Sequence, residues 1–390
     1  MPTGISIGNL IILVGAVQGV FLSVILWNLR SGNKLSHRLL AAFLFVFALE
    51  MMYFVIWDSR MILKAPHFSM VLSPLDFAIG PLFYLYALTL TRKNFALKRI
   101  HLLHFLLVLA GFIYFLKFYM QPAVYKYAYN LQSYSQMPDL WQTFSIISTV
   151  QTSVYLALTV LLLLQHVRRV KKYYSSIEEI DLGWIRNLLL IIAFGFISCS
   201  AITVIGWKWA NYYSNIVFSF SIYAMGYYGM RQKSIFADIH EEIQPQEAEP
   251  LVLLAEQPEV IAKKYERSGL TEDKAAQYLT SLHLLMEKEK PYLNPELTLQ
   301  QLADQMQISL HHLSQILNQH KQQNFFDFIN QLRVEEFKER LADPSKQHYS
   351  LLALAFDCGF NSKAAFNAAF KKHTGTTPSA YRKNLSISTA

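Results

Sequence analysis

The sequence predicts an all-α fold in two parts: a polytopic seven-helix transmembrane bundle followed by a cytoplasmic tandem helix-turn-helix domain. Seven apolar runs, each long enough to cross roughly 30 Å of hydrocarbon, fall within residues 1–230. Two similar helix–turn–helix patterns follow one another within residues 291–390. A hydrophobic share of 53% and a mean hydropathy of +0.23 are high for a soluble protein and agree with membrane segments.

The apolar runs define a seven-transmembrane domain and its orientation. The loops on one side hold 14 Lys and Arg residues and those on the other side hold five. Because positive loops stay inside, we expect the N-terminus outside and the chain after residue 230 in the cytoplasm. The predicted spans are Ile5–Trp27, Leu39–Trp57, Met70–Leu90, Ile100–Phe118, Thr143–Val167, Asn187–Trp207 and Tyr212–Met230.

The formal charge of +8 belongs to the membrane half. Residues 1–230 hold 17 Lys and Arg against 7 Asp and Glu, whereas the remaining residues hold 18 against 20. Pro291–Ala390 holds ten against eight, so we expect modest non-specific DNA affinity with a small salt dependence. No cleavable signal peptide is predicted, because no Lys or Arg precedes Arg30 and the first apolar run is long enough to span.

Two acids lie inside predicted spans, Glu50 and Asp76. A charge there costs several kcal/mol unless it is paired, hydrated or protonated, so both are sensor candidates. The functional interpretation is a contact with a polar ligand or a protonation switch. The structural interpretation is a hydrogen bond between helices, with Tyr53, Tyr84 or Gln151 as partner. Both stay open at this point.

Other features of the membrane half predict structure rather than chemistry. Pro74 and Pro81 predict a kink in the third span. Ser175–Arg186 has early acids followed by apolar residues, which predicts a short interfacial helix. His101 and His104 share a helix face, but no third ligand is evident, so neither a metal nor another cofactor is predicted. The sequence contains no HExxH, no phosphate loop and no kinase signature, and we expect no enzyme.

Residues 231–270 are polar, acidic and interrupted by prolines, which is typical of a cytoplasmic linker. Residues 271–290 predict a connecting helix that begins at the cap Thr271. Its apolar face would either dock onto the following domain or pair with a second copy in a homodimer. The residues of that face are Ala275, Tyr278, Leu279, Leu282, Leu285 and Met286.

The first helix-turn-helix pattern lies within residues 298–318. Thr298 is a helix cap and precedes an apolar-faced helix, Leu299–Met306. After a short turn, Ser309 is a second cap and begins the helix Leu310–Asn318, which is the predicted reading helix. Helix, tight turn and capped helix at this length predict a helix-turn-helix unit.

The pattern then repeats 52 residues later. Leu354 corresponds to Leu302, Gly359 makes the turn and Ser362 begins the second reading helix. Phe325–Leu341 lies between the units as a single helix of about 26 Å. A rod of this length holds two reading helices about one DNA turn apart, roughly 34 Å, so both can enter successive major grooves.

The block GFNSKAAFNAAFKKHTGTTPSAYRK at residues 359–383 is a specific signature. Together with YLNPELTLQQLADQMQIS and FFDFINQLRVEEFKERL, it resembles the DNA-binding domain of the AraC/XylS family of bacterial transcription regulators. Through IGPLFYLYALTL and IEEIDLGWIRNLL, the membrane half resembles, less specifically, seven-span sensors that replace the sugar-binding cupin in some members. The resemblance implies a regulator in the bacterial inner (cytoplasmic) membrane.

The resemblance also implies residue roles. Family members often carry Arg two positions after the first phenylalanine of the F-x-R-x-F-K block, where this chain has Ala368. That departure removes a contact of about 1–3 kcal/mol if the position reads a base. The implied base readers are His311, His312, Gln315, Asn361, Lys363, Ala364 and Asn367. The implied phosphate contacts are Ser309, Asn318, Lys371, Lys372 and Arg382.

These observations predict a membrane-embedded one-component regulator that binds promoter DNA under control of a membrane-sensed signal. The expected partners are double-stranded promoter DNA, the lipid bilayer and a small-molecule or membrane signal, with RNA polymerase added if the protein activates. The alternative is a seven-span receptor or transporter whose helix-turn-helix tail is a protein-interaction module.

Overall fold

A computed structural model describes residues 6–30, 32–92, 95–131, 139–177, 182–190, 210–231, 270–346 and 348–388. Within these ranges every regular element is helical, apart from an isolated bridge between Tyr174 and Thr298. The predicted all-α class is therefore confirmed for the described residues. The chain divides into two compact units. Unit 1 is Met1–Leu164 with Trp184–Gln244, and unit 2 is Gln165–Gly183 with Pro245–Ala390.

Unit 1 is built from long apolar helices. Asn33 begins the second of them, because its side chain accepts hydrogen bonds from the Leu35 and Ser36 amides. The first and last helices approach closely at glycine: a Cβ on Gly15 would lie 2.6 Å from the Ser219 side chain. The helices are α1 (Ile7–Asn28), α2 (Lys34–Asp58), α3 (Asp76–Thr91), α4 (Leu106–Tyr119), α5 (Ala123–Leu131), α6 (Asp139–Tyr173) and α7 (Ala210–Arg231).

Five segments of the described chain are long and apolar enough to cross a membrane, and they coincide with the first five predicted spans. The sixth predicted span lies mostly outside the described residues. The seventh is present as α7 but is not among the five. A count of seven therefore stays a prediction. The five segments are Ile7–Asn28, Lys34–Asp58, Pro66–Thr91, Arg99–Tyr119 and Thr143–Tyr173.

The third of these segments is interrupted at its proline-rich start. Two 3-10 turns, Pro66–Phe68 and Ser73–Leu75, precede α3, and the second turn contains Pro74. Proline lacks an amide donor and clashes with a preceding carbonyl, so a regular helix begins only after it. The predicted break is confirmed at Pro74, while Pro81 is accommodated inside α3.

Unit 2 holds two hydrophobic cores that share one long helix. The first core is rich in leucine and includes Leu302, Leu313 and Leu317. The second is rich in phenylalanine and includes Phe366 and Phe370. The helices are α8 (Glu272–Lys288), α9 (Leu299–Gln305), α10 (Leu310–Gln319), α11 (Phe325–Ala342), α12 (Leu351–Asp357), α13 (Lys363–Thr374) and α14 (Pro378–Ser388). The amino-terminal part of α11 packs into the first core and its carboxyl-terminal part into the second.

The predicted caps of unit 2 are confirmed. Thr298 Oγ1 accepts from the Gln301 amide at 3.2 Å, and the Gln301 side chain accepts in return from the Thr298 amide. Ser309 Oγ accepts from the His312 amide at 3.2 Å, and Ser362 Oγ accepts from the Ala365 amide at 3.0 Å. Because each cap satisfies an otherwise unpaired amide, the helices begin where local sequence predicts them.

The connecting helix α8 uses its apolar face within unit 2. Leu282 and Met286 belong to the first core, and Leu282 is only 1% exposed. Leu282 and Met286 therefore dock α8 onto the following domain, while pairing of this face with a second copy stays a prediction.

The segment after α6 differs from its prediction. Residues 175–177 are not helical and Ser175 is buried, so the interfacial helix predicted to begin at Ser175 is wrong there. Residues 178–181 lie outside the described part, and a helix covers 183–190. The physical reason is that unit 2 satisfies Ser175 with hydrogen bonds, which a helix facing the membrane surface does not offer.

Candidate nucleic-acid interface

The turns of the two helix-turn-helix units have the same backbone conformation. Gln307 and Gly359, separated by 52 positions, are both left-handed, with φ of 55° and 89°. The Ile308 amide donates to the Ala303 carbonyl at 3.1 Å, and the corresponding amide and carbonyl of the second unit are also 3.1 Å apart. The repeat predicted from sequence is therefore a repeat of backbone geometry, and each turn aims its second helix in the same way.

The first reading helix, α10, presents its predicted base readers unequally. His311 is exposed, whereas His312 is half-buried and stacks on Tyr278 of α8 with 6.2 Å between ring centroids. Gln315 is only 5% exposed, and its Nε2 donates to Gln319 Oε1 at 2.9 Å. The side chain of Gln315 is therefore buried and held within the helix in this structure, and its role as a base reader stays a prediction.

The second reading helix, α13, is anchored by aromatic packing. Phe366 and Phe370 pack against Phe337 of α11, with ring centroids 4.7 and 5.5 Å apart. With its inner face fixed in this way, the helix leaves the remaining predicted base readers at the surface. Asn361, Lys363, Ala364 and Asn367 are all exposed, as is Ala368. Asn361 also donates a short hydrogen bond from Nδ2 to Ser176 Oγ.

The predicted phosphate contacts have mixed surroundings. Ser309 serves as the cap of α10, and the Asn318 amide group donates to the Ser314 carbonyl at 2.7 Å. Lys371 is exposed, whereas Lys372 forms an ion pair with Asp327 at 2.7 Å.

The last predicted phosphate contact, Arg382, lies near the end of the chain. Its Nη1 donates to the Tyr349 carbonyl at 3.2 Å. Lys371 therefore has the most open geometry for a phosphate, since the other side chains already serve the fold.

A buried arginine that sequence reasoning missed joins the segment before the first helix-turn-helix unit to Phe360 of the second, whose ring centroid lies 5.9 Å from the guanidinium carbon. Arg333 of α11 is 1% exposed. Its Nε donates to the Tyr292 carbonyl at 2.7 Å, and its Nη2 donates to the Asn294 carbonyl at 2.8 Å. It also donates to the Ser175 carbonyl and hydroxyl, both at 3.1 Å. No local pattern signals this role, because the acceptors are mostly main-chain carbonyls distant in sequence.

A carboxylate one turn further along α11 completes this buried centre. Glu336 accepts from Lys290 Nζ at 2.7 Å, from the Tyr292 hydroxyl at 3.1 Å and from Arg340 Nε at 2.7 Å. Burial alone would raise the pKa of Glu336, but these hydrogen bonds outweigh it and the pKa lies below its ordinary value. The charged carboxylate therefore ties the turn at residues 291–293 to α11.

Gly359, in the turn of the second helix-turn-helix unit, packs closely against residues 291–293. A Cβ at Gly359 would lie 2.5 Å from the Tyr292 carbonyl oxygen and 2.8 Å from the Leu293 carbonyl oxygen. Its φ of 89° also favours glycine. Beside it, burial raises the pKa of the Cys358 thiol to about 12, so this cysteine stays protonated and unreactive.

The sensor candidates Glu50 and Asp76 line one cavity of about 380 Å³ in unit 1. Glu50 Oε1 is buried and has no hydrogen-bond partner among the described residues. Two of the suggested partners are engaged elsewhere. Tyr53 accepts at its hydroxyl from the Met70 amide at 2.7 Å, and Gln151 donates to the Phe77 carbonyl at 3.0 Å.

The third suggested partner, Tyr84, packs its ring against His104 and Tyr155. His104 Nδ1 lies 2.7 Å from the Tyr155 hydroxyl, and its ring stacks with that of His101. Among the described residues no cluster of His, Cys, Asp or Glu could hold a metal ion.

Because Glu50 Oε1 has no hydrogen-bond partner among the described residues, the structural interpretation of Glu50, as a hydrogen bond to Tyr53, Tyr84 or Gln151, finds no support there.

Comparison with known proteins places unit 2 among DNA-binding domains. A family model described as a helix-turn-helix domain matches residues 302–384. The raffinose operon transcriptional regulatory protein RafR of Pediococcus pentosaceus is 29% identical over 90 residues, which cover 23% of this chain and 31% of that protein. The probable transcription factor PqrA of Proteus vulgaris is 30% identical over 91 residues, which cover 23% of this chain and 72% of that protein. No solved structure matches the chain.

Proposed function

Since the chain belongs, by its C-terminal domain, to the AraC-type helix-turn-helix transcription regulators, we propose that it is a membrane-embedded one-component regulator. The apolar helices of unit 1 sit in the bacterial inner membrane with the N-terminus outside. Unit 2 lies in the cytoplasm and binds promoter DNA. A signal received in or at the membrane controls that binding.

The observation that carries this proposal is the repeated unit built on one stiff centre. Arg333 and Glu336 of α11 hold the turn at residues 291–293, and Gly359 of the second unit packs on the same turn. At 1.5 Å per residue, α11 is about 27 Å long. A rod of this length can hold two reading helices at a separation comparable to that of successive major grooves, roughly 34 Å along DNA.

The exposed residues of α13 have the chemistry for base recognition. Asparagine pairs with adenine through two hydrogen bonds, and lysine donates to the acceptors of guanine in the major groove. Asn367 and Lys363 supply these groups, with His311 as the exposed counterpart on α10. Lys371 adds a phosphate contact.

The test uses the full chain in lipid nanodiscs and a randomised pool of DNA duplexes. We expect enrichment of one sequence class, with protection of two segments about one helical turn apart. Replacing Lys363 and Asn367 by alanine should lower the affinity for the enriched duplex at least tenfold. Lys288→Ala is the matched control, since it removes one exposed positive charge on α8, far in sequence from both reading helices.

Two outcomes would contradict the proposal. If no duplex is enriched over bulk competitor, the domain is not a sequence-specific DNA reader. If the protein keeps its cellular function when Lys363 and Asn367 are replaced, the domain serves instead as a protein-interaction module.

The cavity in unit 1 supports the sensing half of the proposal. An unpartnered carboxylate oxygen in an apolar bundle is costly, and a ligand that donates a hydrogen bond or carries a positive charge would offset that cost. We expect Glu50→Gln and Asp76→Asn to abolish the response to the signal while leaving the affinity for the enriched duplex unchanged without it. A normal response in a reporter strain for both variants would exclude this site.

A further inference from the structure

The last residues of α6 and the segment that follows them are part of the DNA-binding unit. We call residues 171–176 the strap. Lys171 Nζ lies over the Phe326 ring of α11, 5.2 Å from its centroid. Lys172 lines a narrow crevice together with Ser314 and Asn318 of the first reading helix. Tyr173 packs against the first core. The strap therefore begins along the first helix-turn-helix unit.

Hydrogen bonds then fix the middle of the strap. The Ser175 amide donates to the Leu297 carbonyl at 3.2 Å, and the Ser175 hydroxyl donates to the same oxygen at 2.7 Å. Arg333 donates to the Ser175 carbonyl and hydroxyl, and Tyr174 pairs with Thr298, the cap of α9. Ser175, Leu297 and Arg333 are all buried, so the hydrogen bonds among them are shielded from water.

The strap ends at the second helix-turn-helix unit. Ser176 Oγ accepts the hydrogen bond from Asn361 Nδ2, immediately before the second reading helix. Asn361 carries one amide group, and while that group is held by Ser176 its donor hydrogens are not all available to a base edge. The strap thus contacts residues of both predicted DNA-binding surfaces at once.

The strap is also the direct continuation of an apolar helix. α6 runs without interruption from Asp139 to Tyr173, and the division between the two compact units falls at Gln165 within it. A displacement of α6 would reach the strap through the covalent chain, because the helix continues into the strap as far as Tyr173. The predicted linker at residues 231–270 is consequently not the only connection from the apolar helices to the reader.

We propose that the strap is an inhibitory brace: it holds Asn361 back from DNA, and movement of α6 releases it. This inference rests on the proposed function, because it assumes that Asn361 and its neighbours face DNA. When Asn361 binds DNA, it gives up one hydrogen bond to Ser176 and gains one to DNA. Removing the competitor should therefore raise the DNA affinity roughly three- to tenfold.

The first experiment measures the affinity of the full chain in lipid nanodiscs for the duplex enriched from the randomised pool. Ser176→Ala, which removes only the acceptor for Asn361, should tighten binding roughly three- to tenfold. Ser175→Ala, which weakens the middle of the strap, should tighten it by a similar factor. Ser281→Ala on the exposed side of α8 is the matched control and should change nothing.

The second experiment locks the brace. Ser176→Cys and Asn361→Cys are combined in a Cys199→Ser background and joined by a short, reducible thiol cross-linker. Cys358 should not react, because it is buried and protonated. Asn361→Cys removes one predicted base reader, so the reference is the reduced double-cysteine protein and not the wild type. Cross-linking should lower the affinity at least tenfold below that reference, and reduction should restore it.

The possible results distinguish a failure of the proposed function from a failure of the brace. If the wild-type protein prefers no duplex, the proposed function fails. If the reduced protein binds and cross-linking leaves its affinity unchanged, the brace fails. The brace also fails if the two cysteines cannot be joined. Weaker binding by Ser176→Ala would show that the strap, with its lysines, contributes to DNA binding instead of opposing it.

Discussion

The two helix-turn-helix units of this protein have the same backbone turn and different surroundings. The first has a leucine-rich core, a non-glycine turn at Gln307 and a reading helix whose Gln315 is buried. The second has a phenylalanine-rich core, a turn at Gly359 pressed against main-chain carbonyls, and a reading helix whose polar residues are exposed. From this difference we propose that the second helix-turn-helix unit supplies most of the side-chain recognition of DNA, while the first mainly holds the second in position.

The largest expected effect comes from replacing Arg333, the buried side chain that both helix-turn-helix units share. Arg333→Met should lower the free energy of unfolding of unit 2 by about 3–5 kcal/mol, since it leaves several buried carbonyls without donors. Hydrogen exchange on the full chain should show both helix-turn-helix units losing protection together. Protection lost in the first unit alone would contradict a shared centre. Lys338→Met, at a more exposed position of α11, is the control.

The next effect separates the two turns. Gly359→Ala should cost about 2–4 kcal/mol, because the new Cβ meets two carbonyl oxygens and the residue keeps a positive φ. Gln307→Gly at the equivalent position should change stability by less than about 1 kcal/mol, since relief of backbone strain offsets the greater freedom of the unfolded chain. Thermal unfolding of the full chain in nanodiscs measures both. Equal effects at the two turns would show that Gly359 is not closely packed.

The asymmetry of reading is tested by DNA affinity. Asn367→Ala should weaken binding to the enriched duplex by about 1–3 kcal/mol and relax the preference at one base position. Gln315→Ala should change the affinity less than about threefold, because that side chain is buried. A larger loss from Gln315→Ala than from Asn367→Ala would mean that the first unit rearranges to expose Gln315 when it binds DNA.

The smallest effect is a pH dependence of the contact between Glu336 and the turn at residues 291–293. The pKa of Glu336 is lowered in the folded protein, so its stabilisation is complete above its ordinary pKa of 4.5. It is lost as pH falls through the lower folded value. Glu336→Gln should therefore flatten the fall of the unfolding midpoint on acidification, whereas Glu335→Gln at an exposed ion pair should not. Parallel pH profiles for wild type and Glu336→Gln would refute this.

Local sequence was sufficient for the elements of unit 2. Thr298, Ser309 and Ser362 mark helix starts because a capping side chain satisfies amides only a few residues away. Local sequence did not distinguish the exposure of the implied base readers: Asn367 is exposed, but Gln315 is not. Exposure depends on what packs against a helix, and that information lies far away in the sequence.

By itself the sequence determined the helical class, the apolar segments, the repeat at an offset of 52 and the capped ends of its helices. All of these arise from interactions between residues close together in the chain or from periodic burial. Only the tertiary structure decided that Arg333 joins both units, that Gly359 packs on the Tyr292 carbonyl and that residues 171–176 belong to the DNA-binding unit. Those contacts join segments up to 185 residues apart through main-chain carbonyls and single hydroxyls, groups that every sequence contains and no local pattern distinguishes.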